Sequence, residues 1–222
     1  MENKMKFAII GLGSFGSYLA RTLYDKGHEV MVIDKDKDKI EEAKDFSTQA
    51  VWMDSADKES LKALGVQDMD VVVVSLGPEM EPSILTVLYL HELGVSRIMA
   101  KALSSDHGKI LEAIGATDVI YPERDMAIRL AQKLSSRNVL EYLPLAENIS
   151  IQEIVPPESF IGKKLKDLNL TNRYHVQVIA IRQLVPEKLI FIPGADFVIK
   201  DSDVLVVMGE EDNIAELCAC KK

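Results

Sequence analysis

The chain has 222 residues, enough for one large domain or two small ones and for a substantial core. Lys plus Arg number 26 against 35 Asp plus Glu, and the net charge of −9 argues against the basic footprint of a nucleic-acid or anionic-lipid binder. No apolar run approaches the roughly 18 residues needed to span a bilayer. The two cysteines, Cys218 and Cys220, are too close together to staple a domain, so the expectation is a reducing cytoplasm and a frayed tail.

Phe7 to Ile10 reads as a short apolar strand running into Gly11-Leu12-Gly13-Ser14-Phe15-Gly16, a G-x-G-x-x-G turn that opens a helix. Lys4 and Lys6 before this stretch faintly resemble a signal peptide, but the glycines inside it mark a first strand instead. Leu19 and Leu23 continue the line of Phe15 at helical spacing, and Gly27 ends that helix. Glu29 to Ile33 is a second strand closed by Asp34, and Lys35 to Lys44 a charged helix. Ala50 to Met53 is a third strand, followed by a helix through Leu61 and Leu64. Asp70 to Ser75 carries four consecutive valines, the mark of a parallel strand buried on both faces. A helix over Ile84 to Leu93, a strand over Arg97 to Ala100, a helix near His107 to Ile114 and a strand over Asp118 to Tyr121 complete the alternation. Met126 to Ser136 is a further helix, with Ile128, Ala131 and Leu134 apolar.

Strict strand–helix alternation predicts an α/β fold with a doubly wound parallel Rossmann-like sheet. Beyond Arg137 the pattern changes. Prolines cluster at Pro144, Pro156, Pro157, Pro186 and Pro193, and the strands become short and alternating. They fall at Ile149 to Ile154, Val176 to Ala180, Leu189 to Phe191 and Val204 to Met208, with helices at Lys163 to Leu168 and Asn213 to Leu217. The expected organisation is a nucleotide-binding domain over 1–136 and a small α+β C-terminal domain over 137–222.

In such a sheet, ligands bind at the C-terminal ends of the strands. Gly11 allows the tight turn, Gly13 opens the backbone to a diphosphate, and Gly16 lets the helix lie close to its strand. Asp34 can accept both hydroxyls of an adenosine ribose, and its charge repels a 2′-phosphate. Asp54 and Ser55 follow the third strand, where they reach adenine or its ribose. Ser75, Leu76 and Gly77 follow the fourth, and Lys101 follows the fifth, where it neutralises phosphate. Glu123 and Arg124 follow the sixth strand at a helix start, placed for capping, for a phosphate or for a bridging cation. With Ser14, Phe15 and Lys35 these form the candidate cofactor-binding set, and Glu123 is also the candidate metal ligand.

No catalytic residue emerges. His28, His91, His107 and His175 lack a nearby carboxylate in a catalytic spacing and read as surface or packing residues. Ser14 directly follows its glycine, unlike the G-x-S-x-G nucleophile, and no Walker lysine is present. A small NAD-dependent oxidoreductase is the alternative reading, and it lacks a nominated acid or base over the nicotinamide.

The chain resembles the cytoplasmic regulatory subunits of Ktr/Trk-type bacterial potassium uptake systems, which carry the RCK domain. The resemblance covers nearly the whole length. It rests on FAIIGLGSFG (7–16), GHEVMVID (27–34) and YPERDMA (121–127) in the first part. In the second it rests on FIGKKLKDLNL (160–170), VIAIR (178–182) and DVLVVMG (203–209). It implies a non-enzymatic gating subunit that binds ATP, ADP or NAD(H) in the crevice. Such subunits pair through the crossover helix, form a ring, commonly an octamer, and sit at the inner face of the membrane on a potassium-translocating subunit. The matching positions are Gly11, Gly13 and Gly16 for phosphate, Asp34 for ribose, and Asp54 with Ser55 near the nucleoside. Glu123 matches an acid that holds a divalent cation (Mg or Ca) between subunits. Close relatives often carry arginine where Ser14 stands, and that arginine reaches the terminal phosphate of a neighbouring ligand. Some relatives bind cyclic di-AMP between two C-terminal domains, and some of these have a basic residue at the position of Thr171.

Overall fold

Residues 4–135, 139–146 and 148–219 are described by the computed structural model. The chain divides into two units, Met1–Arg124 and Asp125–Lys222. In the first, β1 (Lys6–Ile10), β2 (Glu29–Asp34), β3 (Gln49–Trp52), β4 (Val71–Val74), β5 (Ile98–Lys101) and β6 (Asp118–Ile120) form one parallel sheet. The strand order is β3-β2-β1-β4-β5-β6, so the chain reverses direction across the sheet between β1 and β4. The crossovers are α1 (Ser14–Asp25), α2 (Lys37–Ala43), α3 (Lys58–Ala63), α4 (Met80–Glu92) and α5 (Ser105–Ala113), and α6 (Pro122–Ser135) follows β6.

Alternation along each strand sorts the core into two layers. Ala8, Ile10, Met31, Ile33, Val72 and Val74 pack with Leu61, Val87, Leu90 and Leu111, beneath α3, α4 and α5. Ile9, Val30, Val32, Val71 and Val73 turn the other way, onto Ala20, Ile40 and Ala43 of α1 and α2. All four valines of β4 are buried, as a strand covered on both faces requires. α4 begins at Met80, earlier than the apolar pattern from Ile84 suggests, because Pro82 lies in its first turn, where proline costs no helical hydrogen bond.

The second unit is a five-stranded antiparallel sheet of β7 (Val139–Ala146), β8 (Ile149–Ile154), β9 (Gln177–Leu184), β10 (Glu187–Phe191) and β11 (Asp203–Glu210). Its order is β10-β9-β11-β8-β7. The sheet packs Ile154, Val178, Ile181, Leu205 and Val207 against α7 (Leu165–Leu168), α8 (Leu170–Tyr174) and α9 (Glu211–Ala219), which contribute Leu168, Leu170, Tyr174, Ile214 and Leu217. Two elements escape the sequence pattern. β7 contains Pro144 and lies at the sheet edge, where a missing ladder donor is tolerated. α8 is separated from α7 only by Asn169 in a left-handed conformation. The frayed-tail expectation fails for Cys218, which sits half-buried on α9 against this core; Cys220 lies outside the described residues.

Candidate functional site

The C-terminal ends of β1 to β5 open onto a crevice of about 350 Å³. Of the predicted residues, Gly11, Gly13, Phe15, Asp34, Lys35, Asp54, Ser55, Ser75, Leu76, Gly77 and Lys101 line it together. Four others do not. Gly16 is buried behind the turn, Ser14 faces a separate groove between α1 and α2, and Glu123 and Arg124 lie off the lining. Sequence reasoning missed Ile33, Lys39, Met53, Ala56, Pro78, Glu79 and Pro82. Lys39 had a usable signal. Asp36 caps α2 by accepting from Asp38 N, which places residue 39 in the first turn, at the crevice.

The three glycines do three different jobs. Gly11 has φ +96°, and a Cβ there would lie 2.4 Å from Ser75 O, so β1 and β4 approach each other only without it. A Cβ on Gly16 would lie 2.0 Å from Gly11 O, which fixes α1 against the turn. A Cβ on Gly13 would meet nothing within 4 Å, so the space beside it is open to a ligand. Gly13 is also the N-cap of α1, and no side chain caps that helix. The first amides of α1 are therefore donors for an anion, backed by the helix dipole.

Asp34 is 9% exposed and held at both oxygens. Leu12 N donates to Oδ2 at 2.6 Å and Asp36 N to Oδ1 at 2.8 Å. Each oxygen keeps a lone pair, so the fixed carboxylate can still accept from a vicinal diol. Trp52 Nε1 donates to Lys35 O at 2.9 Å and pins the next residue. Asp54 Oδ1 accepts from Ala56 N at 3.0 Å, turning the chain so that Ser55 is buried. Thr86 Oγ1 lies 3.1 Å from Ser55 Oγ and 3.2 Å from Ser55 O, anchoring that turn to α4.

At the far end of the crevice Lys101 Nζ donates to Glu123 Oε1 at 2.5 Å. The Lys101 hydrogen bond holds the Glu123 carboxyl below the usual carboxylate range. Arg124 stacks its guanidinium 3.7 Å over the Tyr121 ring. Among the described residues, no three His, Cys, Asp or Glu side chains gather to hold a metal ion.

The crevice has the groups that a phosphorylated sugar needs. It offers a fixed acid for ribose, an open glycine and helix amides for phosphate, and a lysine beyond them. The TrkA-N domain family matches residues 7–122 and the TrkA-C domain family residues 151–220. The chain is 42% identical over 212 residues to Ktr system potassium uptake protein C of Bacillus subtilis, covering 96% of this chain and 95% of that protein. It is 35% identical over 214 residues to the Ktr system potassium uptake protein A of the same organism, with 96% and 95% covered. The structure of the GsuK channel bound to NAD aligns with TM-score 0.67 at 19% identity, over all of this chain (100%). This chain spans 40% of that one, and the likeness establishes the shared fold.

Proposed function

This chain belongs to the family of Ktr potassium uptake proteins with TrkA-N and TrkA-C domains, and we propose that it is the cytoplasmic nucleotide-binding gating subunit of such a system. The observation that carries the reading is Asp34, fixed by two backbone amides beside the open Gly13 at the β1/β4 switch point. ATP, ADP or NAD(H) is the ligand class, and the relatives' role in potassium uptake supplies the output. The oxidoreductase alternative is not favoured by those relatives.

In this reading the protein does no chemistry. A ligand shifts a gate only through its difference in affinity for two states, so the nucleotides must favour different shapes of the assembly. α6 serves as the crossover helix of a domain over 1–136. Its Met126, Ile128, Leu130 and Leu134 are 51%, 51%, 48% and 83% exposed, an apolar surface suited to a second copy. Dimers closing into an octameric ring at the inner membrane face give several ligands one output. Glu123 is the candidate Mg or Ca ligand, facing its counterpart in a second copy across the phosphates. The groove of the second unit around Lys166, Asn169, Thr171 and Gln177 is the candidate place for cyclic di-AMP between two copies.

Calorimetry with ADP, ATP and NADH, with light scattering of each complex, tests this reading. Binding of at least one nucleotide with a ligand-dependent assembly supports it. A chain that binds none of them, or stays monomeric throughout, removes it.

A further inference from the structure

His107 on α5 is 1% exposed, and both of its ring nitrogens are engaged. Leu103 N donates to Nδ1 at 3.2 Å, while Nε2 lies 3.0 Å from Ser83 Oγ on α4. Because Nδ1 is the acceptor, the neutral ring carries its proton on Nε2 and donates it to Ser83. The Ser83 hydroxyl in turn donates to Met80 O at 2.7 Å. A chain of three hydrogen bonds thus joins the turn after β5 to the first turn of α4. Both ends border the crevice. Lys101 stands two residues before Leu103, and Pro82 is the neighbour of Ser83. Burial pushes the imidazole pKa down, which keeps the ring in the neutral form this chain of bonds requires.

The strand order divides the crevice. β3 and β2, with Asp54 and Asp34, lie on one side of β1, and β4 and β5, with Gly77 and Lys101, on the other. On the nucleotide reading, a nucleoside monophosphate seated on Asp34 would end at the glycine turn, and a triphosphate or a dinucleotide would continue toward Lys101.

We infer that His107 and Ser83 are a positioning pair that sets the crevice's grip on the part of a ligand extending past the glycine turn. This rests on the nucleotide-binding reading above. The pair touches no ligand; it fixes where Lys101 and the start of α4 stand.

The test compares AMP, ATP and NADH by calorimetry on the full chain and on the Ser83→Ala, His107→Asn and double variants. Asn keeps an acceptor near the Nδ1 position and loses the link to Ser83. The worth of one such bond, if it were held only in the ligand-bound state, caps the change at about fivefold in affinity. Each single variant should therefore weaken ATP and NADH more than AMP, by up to about fivefold, and the double variant no more than the worse single one. Imidazole ¹⁵N shifts of His107 in the unaltered chain give a readout that needs no variant, and they should move with ATP or NADH more than with AMP. Equal losses for all three ligands, or no loss with unmoved ¹⁵N shifts, overturn the pair's role while leaving the nucleotide reading intact. An unaltered chain that binds none of the three overturns both.

Discussion

Lys101, at the far end of the crevice, pairs with Glu123 just off its lining, with the lysine side chain 14% exposed and the carboxylate 68% exposed. The lysine therefore points its charge at a solvent-facing acid, and that acid is also the candidate cation ligand. With its acid in solvent, such a pair contributes little to stability, so its value lies in what the two groups do with a ligand. On the proposed reading, a cation held by Glu123 would take the carboxylate from Lys101 and leave its ammonium for a phosphate. We expect Mg or Ca to tighten ATP binding in the unaltered protein, and Glu123→Gln to bind ATP independently of either ion. A Gln variant with full cation sensitivity would confine Glu123 to pairing with Lys101.

Asp34 should carry ribose recognition. Hydrogen bonds to a charged acceptor contribute about 1.5–3 kcal/mol each, so Asp34→Ala should lose at least about tenfold in ADP affinity. The variant also leaves the Leu12 and Asp36 amides without their acceptor, so its melting temperature must be read alongside. Unchanged calorimetric affinity would take Asp34 out of the site.

The glycines separate folding from binding. Gly11→Ala and Gly16→Ala drive a methyl into backbone at 2.4 and 2.0 Å, and overpacking of this kind costs about 1–3 kcal/mol or more. Gly13→Ala meets nothing, so thermal unfolding should stay near the unaltered value while nucleotide affinity falls. A Gly13 variant that binds normally would show that phosphate does not approach that turn.

Much of this was readable in the chain itself. The four valines of β4, the glycine turn and Asp34 announced the parallel sheet and its crevice, since each is a local requirement of the fold. Lys39 was hidden because an alternating Asp-Lys run looks like a solvated face, and only the Asp36 cap aims that lysine. The Lys101–Glu123 pair joins the end of β5 to the first turn of α6, 22 residues apart, and spacing does not report such a contact. β7 was missed because Pro144 argues against a central strand, whereas an edge position accepts it.

His107 gives a pH signature. Its folded pKa is below the usual 6.5, so the unfolded chain binds the proton more readily. The stabilisation is complete above about pH 6.5 and is lost as pH falls through the folded value. Urea unfolding at pH 7.5 and 5.5 should show a steeper loss for the unaltered protein than for His107→Gln. Equal losses would mean that the ring takes up its proton as readily folded as unfolded.

Potassium flux into proteoliposomes containing the cognate membrane subunit bears most directly on the gating role. With this chain added, flux should depend on its presence and differ between ATP and ADP, and Asp34→Ala should abolish that difference. Flux that ignores the chain, or that responds to it equally with either nucleotide, would contradict a nucleotide-gated subunit.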